Sequence, residues 1–451
     1  MRWRIVANFL CLLLLASTAL PRHATAQDQL SFIRDAEIET IIRTWWTPIL
    51  HAAGLDPQAV HIYLVNDPRL NSFVAGGQNL FMNTGTLLRS TSANQVIGIM
   101  AHETGHIAGG HLARSEQAMH NATIAGIIAM AAGAAAAAAS HSPEAGTAAI
   151  LGGAGVAERS FLNFSVAQEA SADHAALTFL DRAHESARGL LEFFQILEQD
   201  ELLTGQHEVP YLRTHPLTRD RVTYVREHVE TSPWSDTKDP PDWVMMHERV
   251  RAKLDAFLNA PAQVLAKYKE SDSSVPARYA RAIGYYRIPQ LKQALALIDG
   301  LIAQAPEDPY FRELKGQMLF ENGRVNDALG PYERAVALKP DNALLKIELA
   351  QVQLESGDPA QVPKAMTLLN NAAAFEGDNA ELWRLLAIAY GRSGNMGMMA
   401  LSLAEQGMAD GKYGDARQQA VRALKLLPPG AQRQRAQDIA DDARRERERQ
   451  D

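Results

Sequence analysis

His102-Glu103-Thr104-Gly105-His106 sets two imidazoles four residues apart, with a carboxylate directly after the first. On a helix, residues four apart share a face, so both rings can grip one zinc ion. Glu103 sits one step around, where it can act as general base on water that the metal has acidified. The predicted third ligand is Glu169, in Glu169-Ala-Ser-Ala-Asp173. A His/His/Glu set holds one zinc per chain and leaves a fourth position open for water, as a catalytic site requires. Asp173, on the same helix face as Glu169, would hydrogen-bond the free ring nitrogen of a ligating histidine and fix its tautomer.

A third imidazole ligand of the metzincin kind would stand six residues after His106, but that position is Leu112. His111 comes one residue early, and a continuing helix would point it away from the metal. It reads as structural, or as a group that orients a ligand. Thr214-His215-Pro216 with Arg221 reads as a loop after the last catalytic helix. His215 has three readings: an ordinary surface histidine, an oxyanion donor, or a fourth protein ligand that displaces water. Arg221 is a candidate catalytic residue beside it.

These residues need a scaffold. Ser92 and Gln95 make a capping box, and a helix is predicted from Ala93 to Arg114 with the apolar Val96–Met100 run ahead of the histidines. Residues 28–55 read as one amphipathic helix through Ile33, Ile38, Ile41, Ile42 and Trp45. His61–Val65, Asn71–Ala75 and Leu80–Asn83 read as strands, with Gly76-Gly77 between the last two. Substrate is expected to add as a strand along Ser72, Phe73, Val74, Ala75 and Gly76. Further helices are predicted at 166–180 and 186–203. The alanine-rich stretches 122–139 and 145–157 read as a helical hairpin packed on the domain, or as a flap making peripheral contact with membrane or substrate. Alanine contributes little to bilayer insertion, so a transmembrane pair is not expected.

A chain of 451 residues calls for two domains, and 47% hydrophobic with 21% charged residues is a globular composition. A net charge of −8 with no broad basic patch gives no reason to expect nucleic acid. Arg2 and Arg4, the apolar run Ile5–Leu15 and Ala24-Thr25-Ala26 predict a cleaved signal peptide over 1–26, the alternative being an uncleaved anchor. The sole cysteine, Cys11, lies inside it, leaving a mature chain without disulfides or thiolate ligands. Loss of Arg2, Arg4 and Arg22 with it takes the charge from −8 to −11. An acidic, cysteine-free exported chain fits a bacterial periplasm.

Ser232-Pro233 and Asp239-Pro240-Pro241 mark a linker. Beyond it Ala294, Ile298, Leu301 and Pro306 recur 34 residues later as Ala328, Tyr332, Ala335 and Pro340. Gly316 and Leu319 fit the first helix of that second unit, and Trp383, Leu386, Ala387 and Tyr390 open a later one after a drift to about 37. This is a tetratricopeptide pattern, in which stacked units bury a shared core and form a concave binding surface. Residues 433–451 read as a charged, solvated cap. The predicted division is signal peptide 1–26, zinc metallopeptidase domain 27–230, linker 231–242 and tetratricopeptide-repeat domain 243–451. The fold class expected is mainly α: a gluzincin-like α+β domain with a small sheet, followed by an α-solenoid.

The strand region, His102–His106 with His111, Glu169-x-x-Ala-Asp173 and His215-Pro216 with Arg221 together resemble the peptidase family that includes the CaaX prenyl endopeptidases and the HtpX-type membrane proteases. The soluble layout with C-terminal repeats is similar to its periplasmic members. That resemblance implies activity on unfolded or misassembled outer-membrane proteins, and contact with the barrel-assembly machinery through the repeats. The weak repeat consensus and the alanine-rich hairpin depart from the pattern. The functional expectation is an exported zinc endopeptidase for envelope protein quality control. The alternative is a chaperone or assembly scaffold with residual proteolysis.

Overall fold

The computed structural model describes residues 31–111, 114, 165–204 and 210–450. The expected signal peptide and alanine-rich hairpin lie outside the described residues.

The chain opens with a two-residue strand β1 (Phe32–Ile33), and helix α1 (Ala36–Ala52) follows. The helix starts later than its apolar spacing suggested, because the Asp35 carboxylate accepts the Ile38 amide and caps it there, which leaves Ile33 in a strand. Next come β2 (His61–Val65), β3 (Ser72–Ala75) and β4 (Asn79–Asn83). The sheet order is β1-β2-β4-β3; β2 and β4 run parallel, and the other two pairs are antiparallel. Ile62, Leu64, Val74, Leu80 and Met82 turn inward into the core, while Tyr63, Phe73 and Phe81 stay half-exposed on the outer face. No described strand pairs with the other edge of β3.

Helix α2 (Thr84–Arg89) leads into α3 (Ala93–Gly109). Ser92 caps α3 by accepting the Gln95 amide, whereas the Gln95 side chain accepts from Thr91 rather than closing the box on Ser92. Helix α4 (165–183) crosses α3 closely. A Cβ on Gly105 would lie 2.6 Å from the Ala172 carbonyl oxygen, so the glycine inside the histidine motif is what lets α4 approach. Trp46, fully buried on α1, donates to Thr104 at 2.7 Å and locks α1 to the same turn. Helices α5 (Arg188–Thr204), α6 (Pro210–Thr214) and α7 (Arg219–Thr231) close the domain.

Segment 232–240 is tied down by hydrogen bonds. The Ser235 carbonyl accepts from Ser186 and Arg188, and Asp239 accepts the Asn94 amide at the start of α3. Helix α8 (Pro241–Leu258) is shared between two cores: Val250 and Leu254 join the catalytic one, and Ala252 and Ala256 join the next. After α9 (Pro261–Lys267) the chain forms five helix pairs: 275–286 with 291–304, 309–321 with 325–338, 343–355 with 362–372, 380–392 with 396–409, and 413–426 with 431–450. The recurring Ala294, Ile298, Leu301, Ala328, Tyr332 and Ala335 are all buried. A Cβ on Gly316 would meet the Tyr332 ring at 2.5 Å, so small and large residues interlock within a unit. The drift to 37 comes from the 3₁₀ turn Pro359–Gln361 inserted before one second helix. The last helix buries Ala436, Ile439 and Ala443.

A buried polar cluster joins the two halves. Lys253 on α8 lies 2.8 Å from Asp35 and 3.2 Å from Glu37, and Arg249 bridges Glu37 and Asp308. Tyr279 donates to Glu37 at 2.8 Å. Burial alone would push the Glu37 carboxyl up, but Arg249 and Lys253 outweigh it and hold it below its ordinary value. Removing one partner strands the others in a dry interior. Lys253→Met should therefore cost about 3–5 kcal/mol in urea unfolding, and a loss below about 1 kcal/mol would show that the cluster does not hold the junction.

Candidate metal centre

Helix α3 brings His102 and His106 onto one face, and α4 brings Glu169 against them. The two Nε2 atoms lie 3.1 Å apart. Glu169 Oε2 is 3.3 Å from His102 Nε2, and its Oε1 is 3.3 Å from His106 Nε2. His215, following α6, places Nδ1 3.1 Å from Glu169 Oε1 and 3.5 Å from His102 Nε2. One ligand atom from each of these four buried residues falls within 4.8 Å of the others.

The surroundings aim those atoms. Asp173 Oδ1 stands 2.8 Å from His102 Nδ1, and Arg221 clamps the same carboxylate with Nε at 2.6 Å and Nη2 at 2.9 Å. A carboxylate already held by a guanidinium is an acceptor, so Nδ1 carries a hydrogen and Nε2 is the nitrogen turned toward Glu169, the one a metal would take in place of a proton. Arg221 Nη1 also lies 2.8 Å from Glu169 Oε2 and donates to the Pro216 carbonyl at 2.8 Å. Arg221 thus sits behind the carboxylates and ties the His215 loop to them; it acts through Asp173 and Glu169.

Helix α3 ends earlier than expected. Gly110 takes the left-handed conformation at φ 60° and turns the chain, so the helix does not run on to Arg114. That turn brings His111 back under the site, its Nδ1 3.0 Å from His106 Nδ1. His111 is an orienting group for His106, and it holds that position because the helix has stopped. The loop expected before His215 is the short helix α6, which sets Tyr211 and His215 one turn apart; their rings stack at 4.6 Å. The contacts of Trp46 and Tyr211 with this site were not read from the sequence. The four-residue spacing of Tyr211 and His215 was the available signal for the second.

The electrostatics suit a cation. Burial works against charge on His102, yet Asp173 and Glu169 outweigh it and push its pKa up to about 9. Burial, with the His102 and His215 imidazoles nearby, takes His106 down to about 3. Glu169 is held well below the carboxylate range: burial opposes this, but His215, His102 and His106 prevail. Glu103 is the exception, pushed up by burial and only partly countered by His215 and His102. Neither of its oxygens makes a side-chain hydrogen bond, and His215 Nε2 lies 3.7 Å from its Oε1. Two or three imidazole nitrogens and one carboxylate make a donor set that fits a borderline divalent metal.

Residues 33–229 match Peptidase family M48, and residues 319–389 match the tetratricopeptide repeat. The N-terminal half is therefore a metallopeptidase domain, and the C-terminal half is a tetratricopeptide-type helical array. Curated relatives carry the same name across several bacteria. The beta-barrel assembly-enhancing protease of Yersinia pestis is 24% identical over 346 residues, covering 74% of this chain and 68% of that protein. Its namesake in Escherichia coli (strain K12) is 24% identical over 332 residues, covering 72% and 66%. A putative beta-barrel assembly-enhancing protease of Vibrio cholerae is 26% identical over 345 residues, covering 74% and 68%. The chain thus spans about two-thirds of the length of these relatives. Among the described residues no helix is long and apolar enough to cross a membrane.

Proposed function

We propose that this chain is a zinc endopeptidase of the periplasm that cleaves unfolded or misassembled outer-membrane proteins, with its repeats docking substrate or the barrel-assembly machinery. The observation that carries the reading is the convergence of His102, His106 and Glu169 beside a buried Glu103 whose oxygens lack side-chain partners. Zinc bound there would supply a Lewis acid for the scissile carbonyl and would acidify a water. Glu103 would accept a proton from an attacking water and pass it to the leaving nitrogen, a role suited to a carboxylate whose burial raises its basicity. Asp173 and Arg221 keep His102 in the right tautomer.

The substrate backbone adds to the open edge of β3, which reads main-chain groups and so accepts many sequences. Export is supported by the Arg2–Ala26 signal pattern, and the envelope role by the names of the relatives. The direct test is the purified mature chain incubated with an urea-unfolded barrel protein. Cleavage that stops with chelator and returns with one equivalent of zinc supports the proposal; zinc-independent cleavage defeats it.

His215 within ligand distance of the set suits a restrained enzyme, its imidazole filling the position that water needs. His215→Ala should raise basal cleavage several-fold with zinc retained. A fall of about 10²-fold would instead assign it to the oxyanion, and measured turnover distinguishes the two.

A further inference from the structure

The outer face of the sheet carries a row of aromatic rings that the core does not need. Phe73 stacks on Phe81 at 5.0 Å and 8°, and Phe81 stacks on Tyr63 at 4.9 Å and 14°. Phe32, 47% exposed, closes the row 5.9 Å from Tyr63. The row crosses β1, β2, β4 and β3 in turn. Beside Tyr63 it borders a groove of about 560 Å³ between the sheet and the repeats, where Arg34, Lys339 and Phe375 also lie. At the other end Phe81 has rings on both sides, but Phe73 has a ring neighbour only toward Phe81 among the described residues.

The register decides what meets that last ring. The Asn83 amide donates to the Asn71 carbonyl, so 71 and 83 are a bonded pair. Phe73 faces Phe81 two residues along, which makes it bonded toward β4 as well. The N–H and C=O of Ser72 and the C=O of Val74 are then left for the open edge, where the Val74 N–H also faces the Glu103 carboxylate. An incoming antiparallel strand bonds to Ser72 and Val74, and its residue opposite Phe73 falls in a non-bonded pair, where side chains approach most closely. That side chain lies on the outer face, against Phe73.

We propose that Phe73 is a specificity residue: the row of rings selects an aromatic side chain on the substrate residue opposite it, as the next ring of the stack. This rests on the β3-edge reading above. The class of substrate it favours is an extended segment with an aromatic residue on one alternating face, the pattern found where membrane-spanning β-strands meet the bilayer surface. Ala75, the other outward side chain of β3, offers no ring, so the preference should occur at one position only.

The test uses the full mature chain with its metal and a series of about ten-residue, serine- and threonine-rich peptides. Phe, Tyr, cyclohexylalanine, Leu or Ala is placed at each position in turn, and cuts are mapped by mass spectrometry. At one register, Phe and Tyr should exceed cyclohexylalanine and Leu in kcat/KM by about three- to tenfold, the range of a stacked pair beyond its buried area. Phe73→Leu should bring that ratio to within about twofold of one, and Phe73→Tyr should keep it. Backbone N-methylation of the residues flanking that position should block cleavage. Blocked cleavage without any aromatic preference overturns this inference alone. Undisturbed cleavage of the methylated peptides overturns the edge reading and this inference with it.

Discussion

Glu103→Gln should keep its zinc and lose at least about a hundredfold in turnover. The two side chains are nearly the same shape, so the ligand set of His102, His106 and Glu169 is undisturbed, while the one carboxylate near it, among the described residues, that Arg221 does not contact can no longer take a proton. A hundredfold corresponds to about 2.7 kcal/mol at 1.36 kcal/mol per tenfold. Metal content and cleavage rate measured on one preparation check both halves. Undiminished turnover would remove Glu103 from the mechanism. If this variant still rescues an envelope-assembly defect in cells, the repeats act as a scaffold independently of cleavage.

His102→Ala should lose stoichiometric zinc and, with it, measurable cleavage. This is the most deeply seated donor, fully buried between the Asp173–Arg221 clamp and Glu169. Its removal leaves the anionic pocket without the group its carboxylates are arranged around. Asp173→Asn is the graded companion: the ring stays, but its anionic partner goes, and zinc affinity should fall about 10–100-fold. Competition with a chromogenic chelator measures both. Tight, stoichiometric zinc in His102→Ala would mean that the metal sits elsewhere.

Local chemistry explains which parts of this architecture were legible in the sequence. The alternation in His61–Val65 and the apolar run after Ser92 are short-range signals, and β2 and the start of α3 fall where they point. The 34-residue recurrence was legible because each recurring residue fills the same buried slot in its unit. The end of α3 was misread: the apolar character continues through Leu112 and Ala113, and the stop lies in the backbone of Gly110. The start of α1 was misread in a similar way, because Ile33 kept the helical spacing although Asp35 was available as a cap.

At the site, the histidine motif and Glu169 could be paired because their types allow little else. The bidentate hold of Arg221 on Asp173 joins α4 to α7, and the stacking of Tyr211 on His215 depends on a helix that reads as a loop. The first contact depends on long-range packing, which no local spacing encodes, and the second on a four-residue spacing that carries meaning only once α6 is known to be helical.

Zinc K-edge X-ray absorption on the purified mature chain tests the central claim most directly. The account predicts one zinc per chain, bound only by nitrogen and oxygen at about 2.0–2.2 Å, with the outer-shell scattering of at least two imidazoles. A third imidazole would identify His215 as the restraining ligand, and in His215→Ala that scattering should drop to two. A chain that binds no zinc, or holds it with fewer than two imidazoles, would contradict the assignment of His102, His106 and Glu169.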